Sequence, residues 1–216
     1  NAGITSFATN GDWLYGTGYT YGSGGVLEGT FKAAWSDGTV DWVEDCHGDS
    51  YSSFVQADAV YVVGHPHYCG NVGGFPQGNP WYFRRALAFS TTRTGTITKE
   101  PYGYFNWEGT PSPSPLTWYP EIEAGTYTGQ SQGPWSVTGN GQYVVLGGEF
   151  PSVNGTAQQG LVRFAVPAIA PNKQVPRLFL AGWPLKLNSF VAGQVQINWS
   201  GNWDRDNEYF TYQVFR

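Results

Sequence analysis

Three stretches of this chain follow one plan. Residues 11–24, GDWLYGTGYTYGSG, precede EGTFKAAW; residues 58–74, DAVYVVGHPHYCGNVGG, precede RRALAFS; residues 141–155, GQYVVLGGEFPSVNG, precede QGLVRFAV. Each is a turn, an apolar strand ending in glycine, a loop rich in Gly or Asn, and a second strand of small and aromatic residues. The first two lie about 46 residues apart, a spacing typical of propeller blades. A unit of this size cannot bury its apolar faces alone and must stack on its copies. That requirement constrains the fold more than any other feature of the chain. The third copy is displaced by an insertion rich in Pro and aromatic residues, 101–127.

The rest of the sequence agrees with short strands joined by tight turns. Charged residues are 12% and aromatics 17%, with 30 Gly and 14 Pro. Such a mixture disfavours helix and favours strands and turns. ITSFAT, WLYGTGY, GTFKAAW, TVDWVED, SYSSFVQ and AVYVVG read as strands, and so do RRALAFST, TITKE, GPWSVTG, NGQYVVLGG and GLVRFAV. Asn10-Gly11 and Ala57-Asp58 are placed where hairpins would turn. No segment sustains a 3.6-residue apolar period, so the chain is expected to be all-β. The net charge of −5 leaves no basic stripe for nucleic acid, and no apolar run is long enough to span a membrane as a helix. The chain contains no Met and shows no signal peptide. It reads as a mature or excised piece of a longer product.

GGEFPSVNGTAQQGLVRF resembles a repeat of secreted and phage-borne actinobacterial β-propellers, whose blades carry GG-x-F-x-x-V-N-G followed by an L-x-R-F strand. Gly147, Gly148, Phe150, Val153, Asn154, Gly155, Leu161, Arg163 and Phe164 match that pattern. The segment CHGDSY…GHPHYCGNVGGF resembles a variant blade of the same large proteins. The resemblance covers about residues 4–170. It implies a partial propeller of about three to four blades over residues 1–170, too few to close a ring, so other polypeptide would complete it or cover its open edges. Residues 171–188 read as a linker. Residues 189–216, with VQINW and FTYQVFR as candidate strands, resemble the opening of a fibronectin type III or PKD-like sandwich, of which about seven strands would be needed.

Both cysteines and all three histidines lie between Cys46 and Cys69. Two cysteines in a secreted chain are expected to pair, which would stabilise the segment by about 3 kcal/mol. His65 and His67, two apart in extended backbone, would share one face. The bond would bring His47 beside them, with Asp45 and Asp49 in reach. Two readings stand. His47, Asp49, His65 and His67 could hold zinc or copper, or they could form a hydrogen-bond network that ties down a rim loop. If the disulfide forms, cysteine ligation is excluded.

No nucleophile elbow, phosphate loop or dinucleotide fingerprint is present. The insertion offers Tyr104, Trp107, Trp118 and Tyr119 as rings that would stack on sugars or pack against a partner, or would instead cover the open propeller edge or the linker. The expected function is a non-catalytic extracellular scaffold, adhesion or recognition module, cell-surface or virion-associated. Its partners would be surface glycans or neighbouring chains. The alternatives are a secreted carbohydrate-active hydrolase working through the acidic and His cluster of residues 44–67, a metal-stabilised structural protein, and a phage tail receptor-binding component.

Overall fold

The computed structural model describes residues 2–22, 25–170, 175–204, 207 and 209–215. The chain is all-β and divides into two units, residues 1–166 and 167–216. The first unit carries three antiparallel meander sheets. Strands β1 (Ala2–Asn10), β2 (Trp13–Thr20), β3 (Gly29–Ala34) and β4 (Val40–Glu44) form the first sheet in that order. The second joins β5 (Ser50–Gln56), β6 (Ala59–Gly64) and β7 (Ala86–Ser90). A short ribbon of β8 (Gly95–Thr96) and β9 (Pro111–Ser112) follows. The third sheet joins β10 (Pro134–Gly139), β11 (Tyr143–Gly148) and β14 (Leu161–Ala165). A two-residue hairpin, β12 (Ser152–Val153) with β13 (Thr156–Ala157), sits between its last two strands.

The recurrence seen in the sequence is a recurrence of geometry. Each first strand has a bulge near its start, opposite a glycine near the end of the second strand. Ile4 to Ser6 faces Gly18, Ser50 to Ser52 faces Gly64, and Pro134 to Ser136 faces Gly148. The bulge presses the carbonyl before it onto the glycine. A methyl group on Gly64 would meet the Asp49 carbonyl, and one on Gly148 the Gly133 carbonyl; on Gly18 it would sit 3.3 Å from the Gly3 carbonyl. At Gly64 and Gly148 only a residue without Cβ fits so close a backbone approach, while the fit at Gly18 is tight.

The sheets stack in chain order. Strand β5 lies against β1 and β2, and β10 lies against β5 and β6. The first strands meet through polar contacts as well: the Thr5 hydroxyl donates to the Ser50 carbonyl at 2.6 Å, and the Val137 N–H donates to Ser52 Oγ at 3.3 Å. The middle sheet is therefore covered on both faces. On β6, Val60 and Val62 enter one core with Tyr15, Trp42, Leu87 and Phe89. Tyr61 and Val63 enter or line a second with Val137, Val144, Leu146 and Phe150. Each buried valine stabilises the stack by about 1.5 kcal/mol or more. Double burial also explains why AVYVVG shows no clear polar alternation.

Tight turns close the hairpins at one end of the stack, at Gly11-Asp12, Ala57-Asp58 and Asn140 to Gln142. The long connections, which include residues 21–22 and 25–28, 65–85 and 149–160, gather at the other end, as does the 45–49 link. Loops freed from the ladder are where a fold of this kind displays function.

The second unit pairs β15 (Lys186–Asn188) with β16 (Gln196–Asn198). Trp183 and Trp199 flank Tyr212, with ring centroids 6.0 and 5.7 Å away. Two sequence expectations read differently here. Part of the expected linker belongs to this unit, because the Asn202 side chain exchanges hydrogen bonds with the Leu178 backbone in both directions. The VQINW strand pairs with Lys186–Asn188, while FTYQVF makes no sheet pairing among the described residues. Residues 171–174 of the linker, and Arg205, Asp206, Glu208 and Arg216, lie outside the described residues.

Candidate functional site

At the long-loop end, Cys46 and Cys69 form the expected disulfide, and both are buried. It is flanked by a short antiparallel bridge: the His47 N–H donates to the Tyr68 carbonyl at 2.9 Å, and the His67 N–H to the His47 carbonyl at 2.8 Å. The pairing needs no side chain larger than hydrogen at Gly48, whose Cβ would strike the His65 and Pro66 backbone and whose φ is +119°. Bridge and disulfide together fix the loop that carries the three imidazoles.

His47 is 1% exposed, and neither ring nitrogen has a hydrogen-bond partner among the described residues. Its Nε2 lies 3.7 Å from Glu100 Oε1 and 3.9 Å from Asp45 Oδ2, both too long for hydrogen bonds. Tyr104 stacks on the ring with centroids 4.0 Å apart, and Tyr68 lies at 4.8 Å. Burial holds its pKa down at about 4, so the ring is neutral. Glu100 accepts the backbone N–H groups of Tyr102, Gly103 and Tyr104, and so shapes the loop that presses onto His47.

Around this ring lies a set of carboxyls with no Lys or Arg ion pair among the described residues: Glu28, Glu44, Asp45, Asp49 and Glu100. Burial pushes Glu44 up to about 8, and Glu28 and Asp45 up to about 7; Asp49 is also raised, chiefly by burial. The Glu44 carboxyl accepts the Cys46 N–H, Glu28 accepts the Gly48 N–H, and Asp45 accepts the Asn71 amide. These groups work as a frame for the loop backbone.

His65 and His67 both meet Phe83 edge-on but take different polar partners. His65 Nδ1 is 2.6 Å from the Tyr51 hydroxyl and 2.9 Å from Gln132 Oε1, and its Nε2 is 3.9 Å from Asp49. His67 contacts Gln77 through Nδ1 at 3.1 Å and lies flat beneath Trp81, with centroids 3.9 Å apart and planes 10° apart. The rings of His47 and His67 are 6.2 Å apart. Among the described residues the group whose ligand atoms converge is Glu44, Cys46 and Cys69, and its sulfurs are consumed by the disulfide.

The four aromatic candidates divide. Trp107 packs against the first core and donates its indole N–H to the Val26 carbonyl. Trp118 packs edge-on to Tyr61 and Phe164 at the second core. These two rings cover core surface; the sequence, which placed them in one loop, gave no sign that they serve two different cores. Tyr104 stacks on His47, and Tyr119 stays exposed. Trp81, Tyr82 and Arg84 were not among these candidates. Trp81 is 49% exposed and Tyr82 is 54% exposed. Their only signal was the WYF run beside Pro80 in a loop too long for a simple hairpin. A comparison with family models, curated proteins and solved structures finds no match to this chain.

Proposed function

We propose that this chain is a non-catalytic recognition module of a larger extracellular protein, and that its long-loop end binds surface glycans. In this reading the three meanders are successive blades of a β-propeller, and the second unit is part of an Ig-like sandwich. The repeated bulge-and-glycine pairing and the stacking in chain order support the propeller reading. The buried disulfide supports an oxidising compartment.

One observation carries the ligand class. The Trp81 indole lies on buried His67 with one face covered while about half of the residue remains exposed. A flat ring held from behind is a ready platform for the apolar face of a sugar, because little side-chain freedom is lost on binding. Tyr102, 46% exposed, edge-on to Tyr68 and 6.3 Å from the His47 ring, offers a second ring on the loop that covers His47. The test is a glycan array probed with the wild-type protein and with Trp81→Ala and Tyr102→Ala variants. Binding that both substitutions weaken is the expected result. Binding to no surface sugar, or binding indifferent to both substitutions, removes the reading.

A further inference from the structure

We infer that Arg84 anchors a carboxylate, so that the glycan taken at this end of the fold is an acidic one bearing uronate residues; this rests on the recognition reading above. The guanidinium of Arg84 sits among three rings, with its Cζ 4.8 Å from the centroid of Tyr119, 4.9 Å from Phe75 and 5.5 Å from Tyr82. Its backbone is held, since its N–H donates to the Pro66 carbonyl at 2.8 Å. Its side chain makes no hydrogen bond or ion pair with the protein among the described residues. The next residue shows the contrast. Arg85 spends its guanidinium on the carbonyls of Phe83, Ile122 and Ser131 and is structural.

A guanidinium carries five N–H donors in a rigid fork. Where the protein supplies rings and no acceptor, those donors remain for a ligand. The rings also restrain the side chain in advance, which lowers the entropy cost of binding. A carboxylate lies in the guanidinium plane and takes two parallel hydrogen bonds. A sulfate group would direct further oxygens out of that plane, toward the electron-rich faces of the rings. Tyr82 and Tyr119, 54% and 40% exposed, flank the fork and offer ring surface to the sugar that bears the carboxylate.

The experiment measures binding of polygalacturonate, alginate and hyaluronan oligosaccharides, each against its methyl ester, with a sulfated galactan and a neutral galactan beside them. Wild type, Arg84→Gln and Arg84→Lys are compared, and thermal melts confirm that each variant is folded. At least one free acid is expected to bind about tenfold or more tightly than its ester. Arg84→Gln should abolish that preference, and Arg84→Lys should restore only part of it, because an ammonium lacks the fork. Equal binding of acid and ester, or of neutral galactan alone, overturns the inference and leaves the recognition reading standing. Preference for the sulfated galactan over every uronate overturns the carboxylate assignment. Binding on no arm overturns both.

Discussion

His47 stacks on Tyr104 with ring centroids 4.0 Å apart, while both of its nitrogens are buried without a hydrogen-bond partner. Unsatisfied buried polar atoms cost about 1–3 kcal/mol each, whereas the stacking is favourable. His47→Phe keeps the ring and removes both orphan nitrogens, so it is expected to leave stability unchanged or raise it by about 1 kcal/mol. His47→Ala removes the ring as well and is expected to cost about 2–4 kcal/mol. Urea unfolding at pH 7 compares the two.

The carboxyls around His47 set the pH dependence of stability. Glu28 and Asp45 are raised to about 7 and Glu44 to about 8 from ordinary values of 4.5, 3.8 and 4.5. A raised carboxyl favours folding while protonated, an effect present below its ordinary pKa and lost as pH rises through the folded one. His47 acts in the opposite sense: lowered from 6.5 to about 4, it favours folding while neutral and loses that effect as pH falls from 6.5 through 4. Three raised groups outweigh one lowered group above about pH 4.5, although partly exposed Glu28 contributes least. Thermal melts are therefore expected to be highest at or below about pH 4.5 and to fall toward pH 8, with Glu44→Gln flattening that fall. A melting temperature that climbs from pH 5 to 8 contradicts this.

The disulfide spans 23 residues, and its loss is expected to cost about 3 kcal/mol. Cys46→Ala with Cys69→Ala should lower the denaturation midpoint accordingly. Both sulfurs are buried, so dithiothreitol should act on the native protein only slowly. Rapid reduction without loss of stability would be inconsistent with a bond that pins the loop.

Two adjacent glycines test the bulge rule. At Gly148 a methyl group would meet the Gly133 carbonyl, whereas at Gly147 it would meet nothing within 4 Å. Gly148→Ala is expected to destabilise by about 2 kcal/mol or more, and Gly147→Ala by less than about 0.5 kcal/mol. Equal effects in chemical denaturation would remove the close approach as the reason for glycine.

The strands of the first unit were legible because turn glycines and apolar runs are local signals. Asn10-Gly11 and Ala57-Asp58 mark hairpins, and GPWSVTG and GLVRFAV fall on β10 and β14. Of the TITKE segment only Thr96 falls in an assigned strand, although the Ile97 N–H still donates to the Thr110 carbonyl at 2.9 Å while its side chain enters the first core. The disulfide was legible from cysteine count, but the surroundings of the histidines were not. His47 meets Glu100 and Tyr104 through a loop distant in sequence, and His67 meets Trp81 across a glycine-rich turn. Such contacts are set by how the sheets stack, and no local pattern encodes them. The same holds for Trp107 and Trp118, for which the sequence left ligand binding and a covering role both open and which the stack sets against the two cores.

The most direct test of the account is hydrogen–deuterium exchange with and without the tightest-binding glycan from the array. Added protection is expected in residues 66–84 and 100–105, and none in the hairpin turns near Gly11, Asp58 and Gly141. Protection confined to those turns, or a glycan complex with no change in residues 66–84, would contradict it.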